Sequence, residues 1–143
     1  MARTQQPPLE VYGPRLLVKD FPRSFRFYRD VLGLTPAKGH GHPPYGEFVE
    51  GGRAVLGIFE RRRMAEAVGL ALGRYGSRNV GRSALVLAAK DVDAVARTLR
   101  RRRVPLLCGP TDRPAWHLRT IHLRDPDGYL VEICSELKDA PAR

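Results

Sequence analysis

A strand, a tight turn and a second strand are written into residues 123–133, and no other stretch limits the possible folds as strongly. Pro126 presets φ at about −65°, and Asp127-Gly128 supplies a residue that tolerates positive φ. Beyond the turn, alternation puts Tyr129, Val131 and Ile133 on one side of the outgoing strand. Leu130, Glu132 and Cys134 fall on the other. Glu132 therefore interrupts an apolar strand. A buried carboxylate needs a partner to offset its desolvation, so Glu132 is solvated, paired with one of the many arginines, or part of a site.

The chain leading to this hairpin repeats itself. Residues 12–18 read as a strand, with Pro14 favouring an edge position. Its alternation separates Pro14, Leu16 and Val18 from Gly13, Arg15 and Leu17. Asp20 caps a helix on which Phe21, Phe25, Tyr28, Val31 and Leu32 recur at helical spacing, and Gly33 ends it. Residues 35–43 place His40 and His42 among glycines and read as a surface turn. Residues 45–50 and 53–59 form two strands joined by Gly51-Gly52. Val55, Gly57 and Phe59 share a face there, and Gly57 leaves room for a ligand or another backbone. Residues 61–79 are the longest irregular connection, with a short helix at 64–68, and read as a linker or a lid.

The second half opens with an apolar strand at 83–89. Asp91 starts a helix with Val92, Val95, Ala96 and Leu99 facing inward. A short strand at 104–107, a turn at Gly109-Pro110 and the hairpin strands follow. Each half reads as strand, helix and three strands. The expected fold is α+β: two βαβββ modules, residues 10–60 and 80–136, joined by a linker at 61–79. Residues 10–136 then make one domain, with tails at 1–9 and 137–143. The two sheets are expected to form a half-open mixed β-barrel around a cavity, with the helices outside.

Composition narrows the function classes. A chain of 143 residues with 43% hydrophobic residues supports one folded core. No apolar run approaches the roughly 20 residues of a membrane span, and the polar start has no secretory character. A cytoplasmic location is expected, with no membrane partner. Cys108 and Cys134 lack the spacing of a metal knuckle or redox pair and read as two reduced thiols. The net charge of +10 comes mostly from dispersed arginines. There is no basic groove-reading helix and no aromatic-basic platform, so nucleic acid is not an expected partner. An anionic small ligand fits the charge.

Three separated motifs now carry a resemblance. Val18-Lys19-Asp20, Ser24-Phe25-Arg26-Phe27-Tyr28 and Leu32-Gly33-Leu34 resemble the opening of the vicinal oxygen chelate superfamily. This group includes glyoxalase I, bleomycin resistance proteins, fosfomycin resistance proteins and extradiol dioxygenases. Residues 88–94, Ala-Ala-Lys-Asp-Val-Asp-Ala, resemble its second helix start, and Asp125-Pro126-Asp127-Gly128 with Glu132 its most specific signature. The resemblance covers residues 10–136 and implies the paired βαβββ fold. It implies much less about activity, because this fold hosts lyases, transferases, oxygenases and binders.

The family's metal enzymes draw ligands from four strand positions. By resemblance these fall at Gly13, at about Gly57, near Arg82 or Ala84, and at Glu132. Only Glu132 can ligate, and a metal site takes about three protein ligands. The resemblance therefore places the chain in a non-metal-binding branch, with no cofactor expected. Thr120 and His122 share an alternation face, and an antiparallel partner brings His122 toward Glu132. A shifted metal site would need His40, His42 or His117 as well. The leading expectation is a metal-independent small-molecule binding protein of the bleomycin-resistance type, sequestering a neutral or anionic aromatic compound. Its ligand contacts are expected from Arg15, Phe48, Phe59, Trp116, Thr120, His122 and Glu132. The alternative is a lyase, isomerase or dioxygenase, with His122 and Glu132 as candidate catalytic residues at a shifted metal site or as a metal-free acid–base pair. Small half-open barrels expose sheet edges, so a homodimer is the expected assembly.

Overall fold

In the computed structural model, which describes residues 13–68 and 83–138, each half of the chain forms a sheet backed by one helix. The first half runs β1 (Arg15–Val18), α1 (Phe21–Arg26, continued by a π-helical turn at Phe27–Val31), β2 (Thr35–His42), β3 (Tyr45–Glu50) and β4 (Arg53–Glu60). After α2 (Arg61–Val68), the second half runs β5 (Ala84–Ala88), α3 (Val92–Arg101), β6 (Cys108–Arg113), β7 (Leu118–Arg124) and β8 (Leu130–Glu136). The strand orders are β1-β4-β3-β2 and β5-β8-β7-β6. The first strand of each sheet runs parallel to its neighbour and the other pairings are antiparallel. The two βαβββ modules expected from the repeat are present, as two open mixed sheets rather than a closed barrel. No helix among the described residues is long and apolar enough to cross a membrane.

The caps follow the sequence. The Asp20 carboxylate accepts from the Arg23 N–H, and the Asp91 carboxylate from the Ala94 N–H. Gly33 turns the chain at φ +74°. Each helix then buries one face on its own sheet. Phe21, Phe25 and Tyr28 pack on Val18, Phe48, Leu56 and Ile58. Val92, Ala96 and Leu99 pack on Ile121, Leu123, Val131 and Ile133. Phe27 and Leu32 touch both clusters and join them into one core. Gly46 lies beneath the first helix, where a Cβ would come within 2.9 Å of the Phe21 and Phe25 rings.

Three stretches differ from the sequence reading. Residues 35–43 are not a surface turn: β2 occupies Thr35–His42 as an edge strand on β3, bulged between Pro36 and Gly41. An edge strand needs only ladder bonds, so its glycines and histidines carry no alternation to read. The strand expected at 104–107 begins four residues later, at Cys108. Arg103 adopts φ +58° to close α3 first. Pro110 then falls within a bulge of β6, another edge strand, where no ladder N–H is required. The connection opens with an eight-residue helix at Arg61–Val68, longer than the helix expected at 64–68. Its remainder, like Tyr12 and Arg82, lies outside the described residues.

The hairpin turn joins the modules. Gly128 takes φ +86°. Asp125 Oδ1 accepts from the backbone N–H groups of Asp127 and Tyr129, at 2.9 and 2.8 Å. Its Oδ2 accepts from the Tyr28 hydroxyl at 2.7 Å. Asp127 accepts from the Lys19 N–H and the Ser24 hydroxyl, and the Tyr129 hydroxyl donates to the Leu17 carbonyl. Burial, followed by the Asp125 carboxylate, holds the Tyr28 phenol far above its ordinary range, so it remains a donor.

Tyr28→Phe leaves a buried carboxylate oxygen without its donor and is expected to cost about 1–3 kcal/mol in urea denaturation. Burial also raises the Asp125 carboxyl, against the pull of the Tyr28 and Tyr129 hydrogen bonds. A raised carboxyl stabilises the fold fully below its unfolded value and loses that contribution as pH rises through its folded value. Wild type is therefore expected to lose stability relative to Asp125→Asn as pH rises from about 4 toward 7. A difference that stays flat across a pH series of urea melts contradicts this.

Candidate functional site

Residues of the C-terminal sheet that do not face α3 point to its open side. Val86, Glu132, His122 and Cys108 are register partners across β5, β8, β7 and β6 and form one row. Ala88, Cys134, Thr120 and Thr111 form the next. Across the first row, His122 Nε2 meets Glu132 Oε2 at 2.8 Å, with side chains 14% and 16% exposed. An ionised carboxylate only accepts, so the neutral tautomer that suits this contact donates from Nε2 and keeps Nδ1 as the acceptor. Thr120 is fully buried, and its hydroxyl accepts from Arg113 Nε at 3.4 Å. Arg113 Nη2 reaches Cys108 Sγ at 3.5 Å. The structure thus gathers three of the expected residues, Thr120, His122 and Glu132, on one face and adds Arg113 and Cys108.

The N-terminal sheet gathers a second set. Arg15 pairs with Gly57 on β4, and Gly57 with Glu47 on β3. The Arg15 guanidinium stands 5.2 Å from the Tyr45 ring centroid, and Phe59 packs against the same ring at 6.0 Å. The Tyr45 hydroxyl donates to Glu47. Burial and then Glu47 raise the Tyr45 phenol, while Arg15 opposes them. The gap read at Gly57 is filled: a Cβ there would lie 3.2 Å from the Tyr45 ring. The sequence reading does not single out Tyr45 and Glu47. Their signal lies in the alternation of β3, which puts both on the face of Gly57.

One expected contact falls elsewhere. Phe48 is fully buried beneath α1, stacked on Phe25 at 5.1 Å. It sits one residue from Glu47 and so faces the helix. Trp116 ends a short 3-10 turn at Pro114–Trp116, and its side chain lies outside the described residues. Arg119, on the other face of β7 from His122, pairs with Asp93 and Asp112 and is structural. A cleft of about 750 Å³ runs between the modules past Leu32, Leu34, Val55, Val86 and Val95. None of the seven residues expected to contact a ligand lines it.

The donor set does not fit a divalent metal. Gly13, Gly57 and Ala84 offer no ligating side-chain atom, and Tyr45 occupies the space at Gly57. His40 packs edge-on to Tyr45, His42 pairs with Tyr45 in register, and His117 caps the turn after β6. Among the described residues no three His, Cys, Asp or Glu side chains cluster closely enough to hold an ion.

Paired βαβββ modules with polar groups on the open sheet faces define a class of proteins, and the comparisons agree with that class. The family model of the Glyoxalase/Bleomycin resistance protein/Dioxygenase superfamily matches residues 11–133. The chain is 34% identical over 119 residues to the uncharacterized protein YraH of Bacillus subtilis (strain 168), covering 83% of this chain and 92% of YraH. The chain belongs to this superfamily. A glyoxalase/bleomycin resistance protein/dioxygenase from Nocardioides superposes with a TM-score of 0.74 at 21% identity, covering 98% of this chain and 92% of that one. A lactoylglutathione lyase from Agrobacterium tumefaciens superposes at 0.65 with 26% identity, covering 90% and 94%.

A protein that binds a ligand only when folded is stabilised in proportion to RT ln(1 + [L]/Kd). Zn2+, Ni2+ and Mn2+ at about 100 μM are therefore expected to leave the melting midpoint within about 1 °C of the chelator-treated protein. A saturable rise with any one of them would show a metal site that the donor set does not reveal.

Proposed function

We propose that the protein is a metal-independent small-molecule binder whose ligand sits on the open face of the C-terminal sheet. One observation carries the reading. His122 and Glu132 form a half-buried pair at 2.8 Å, beside Arg113 and Thr120, in a superfamily member that lacks donors at three of four metal positions. A polar cluster on an apolar strand face anchors and orients a ligand. The proposed ligand is a neutral or anionic aromatic compound. The net charge of +10 and the Arg113 guanidinium favour an anion, and Tyr45, Phe59 and Arg15 offer a stacking surface.

We place that ligand between subunits of a homodimer. The polar sets of the two modules lie on separate sheets, so a second copy is the simplest source of the opposite wall. The edge strand β5 supports this assembly. Its Ala84, Val86 and Ala88 are exposed, Val86 at 54%, in the same sheet as Glu132.

A metal-free lyase or isomerase is the second reading. The Nε2–H bond to Glu132 leaves Nδ1 of His122 to take a proton, the arrangement a general base needs.

Native mass spectrometry of freshly purified protein tests these readings together. A dimer that retains an organic molecule, and loses it in His122→Gln, is the expected result. One metal ion per chain overturns metal independence, and bare monomers overturn both the ligand and the assembly. Turnover of the retained molecule, abolished in the same variant, decides for the enzyme.

A further inference from the structure

The row that holds His122 and Glu132 ends on a thiol. We propose that Cys108, His122 and Glu132 form a nucleophile–base–carboxylate row that captures electrophilic carbon compounds covalently. The three residues are direct register partners on β6, β7 and β8, so their side chains rise side by side from one sheet face. Directly opposed residues place their Cβ atoms about 4.5–5.5 Å apart, within reach of a short side chain and an imidazole. Glu132 holds the ring through Nε2 from one side of β7, and Cys108 stands on the other side. Nucleophile, base and orienting acid are recognised by such geometry, whatever their order in the chain.

Two further contacts surround the sulfur, and the cationic one supports the assignment, while the Thr111 hydroxyl, which donates to the Gly109 carbonyl, accepts from the thiol. Arg113 Nη2 lies 3.5 Å from Cys108 Sγ, and Thr111 Oγ1 lies at the same distance. Arg113 also donates to Thr120, two residues before His122, which fixes the guanidinium over the row. A fixed cation beside a sulfur favours negative charge on that sulfur and on an oxyanion formed near it. Cys108 is a free, half-buried thiol, so it is neither sealed in the core nor tied in a disulfide.

The chemistry balances without an oxidant or a metal. His122 Nδ1 takes the thiol proton, and the thiolate adds to the β-carbon of an α,β-unsaturated carbonyl compound. The new C–S bond forms as the C=C π bond breaks, and its electron pair moves onto the carbonyl oxygen as an enolate beside Arg113. The imidazolium returns its proton to the α-carbon. The net change is addition of S–H across the double bond, and nothing leaves. Covalent capture shares the open face with the binding reading but does not require a reversible ligand there.

Cys134 is a built-in reference. It is also half-buried and outside any disulfide, on the open face of the same sheet, but its register partner on β7 is Thr120 rather than a histidine. The test is limited labelling of the whole protein with N-ethylmaleimide, an unsaturated dicarbonyl, with the rate at each cysteine read by peptide mass spectrometry. Cys108 is expected to react about tenfold or more faster than Cys134. His122→Gln is expected to slow Cys108 by about tenfold or more and leave Cys134 within about twofold. Glu132 acts through His122 as a positioning residue. Glu132→Gln, which keeps size but not charge, is expected to change the shape of the pH–rate curve at Cys108 and not at Cys134, two residues away. Equal rates at the two cysteines in wild type overturn the proposal without any variant. So does a Cys108 rate unchanged by His122→Gln in protein whose circular dichroism matches wild type. Loss of a reversible ligand with the labelling pattern intact would count against the binding reading alone.

Discussion

One carboxylate, that of Asp125, ties local and tertiary structure together. Its first oxygen closes its own turn through two backbone N–H groups, and its second takes the Tyr28 hydroxyl from the other module, 97 residues away in sequence. Asp127 does the same on a smaller scale, through Lys19 and Ser24. The turn that sets the register between β7 and β8 is therefore itself held by the start of α1. Register matters because alternation in a strand has period two. A slip of one residue would send Glu132 beneath α3 and bring Val131 or Ile133 to the open face. The pairing of His122 with Glu132 thus depends on a hydrogen bond made by the other half of the molecule.

How the chemistry is distributed follows from that frame. Of the strand positions that the resemblance marks for metal ligands, Gly13, Gly57 and Ala84 carry no ligating side-chain atom, and Glu132 carries one. Polar groups stand instead on neighbouring strands in register: His122 opposite Glu132, and Glu47 opposite Gly57. The scaffold still aims side chains at the open faces. Under the proposed reading, these groups hydrogen-bond, stack or exchange protons with an organic molecule. This fits a fold whose members share a backbone and differ in what its faces carry.

Much of this architecture is legible in the amino-acid sequence. The caps at Asp20 and Asp91, the helix faces and the hairpin turn each rest on a local rule, and local rules survive folding. Glu132 and His122 are legible as a pair because antiparallel alternation across a defined turn sets which residues oppose each other. Three things are not. Thr35–His42 has too few apolar residues to declare a strand, since an edge strand is specified by its neighbour's ladder. The start of β6 depends on how Arg103 closes α3, which no periodicity encodes. Aromaticity alone points Phe48 toward a cavity, although its neighbour Glu47 already fixes the face it has to take. Arg113 and Cys108 are beyond reach for the same reason as β6 itself: without the bulge, their partners on β7 cannot be named.

Tyr45 stacks on Arg15, bonds Glu47 and fills the space over Gly57. That lodging couples two positions that are far apart in the chain. A side chain placed at 57 meets the tyrosine ring, and a smaller residue at 45 opens a void and frees the Glu47 carboxylate. A Cβ at 57 makes the Tyr45 ring give by a few tenths of an ångström, and a smaller residue at 45 removes that demand. A substitution at 57 is therefore read through residue 45, and one at 45 through residue 57.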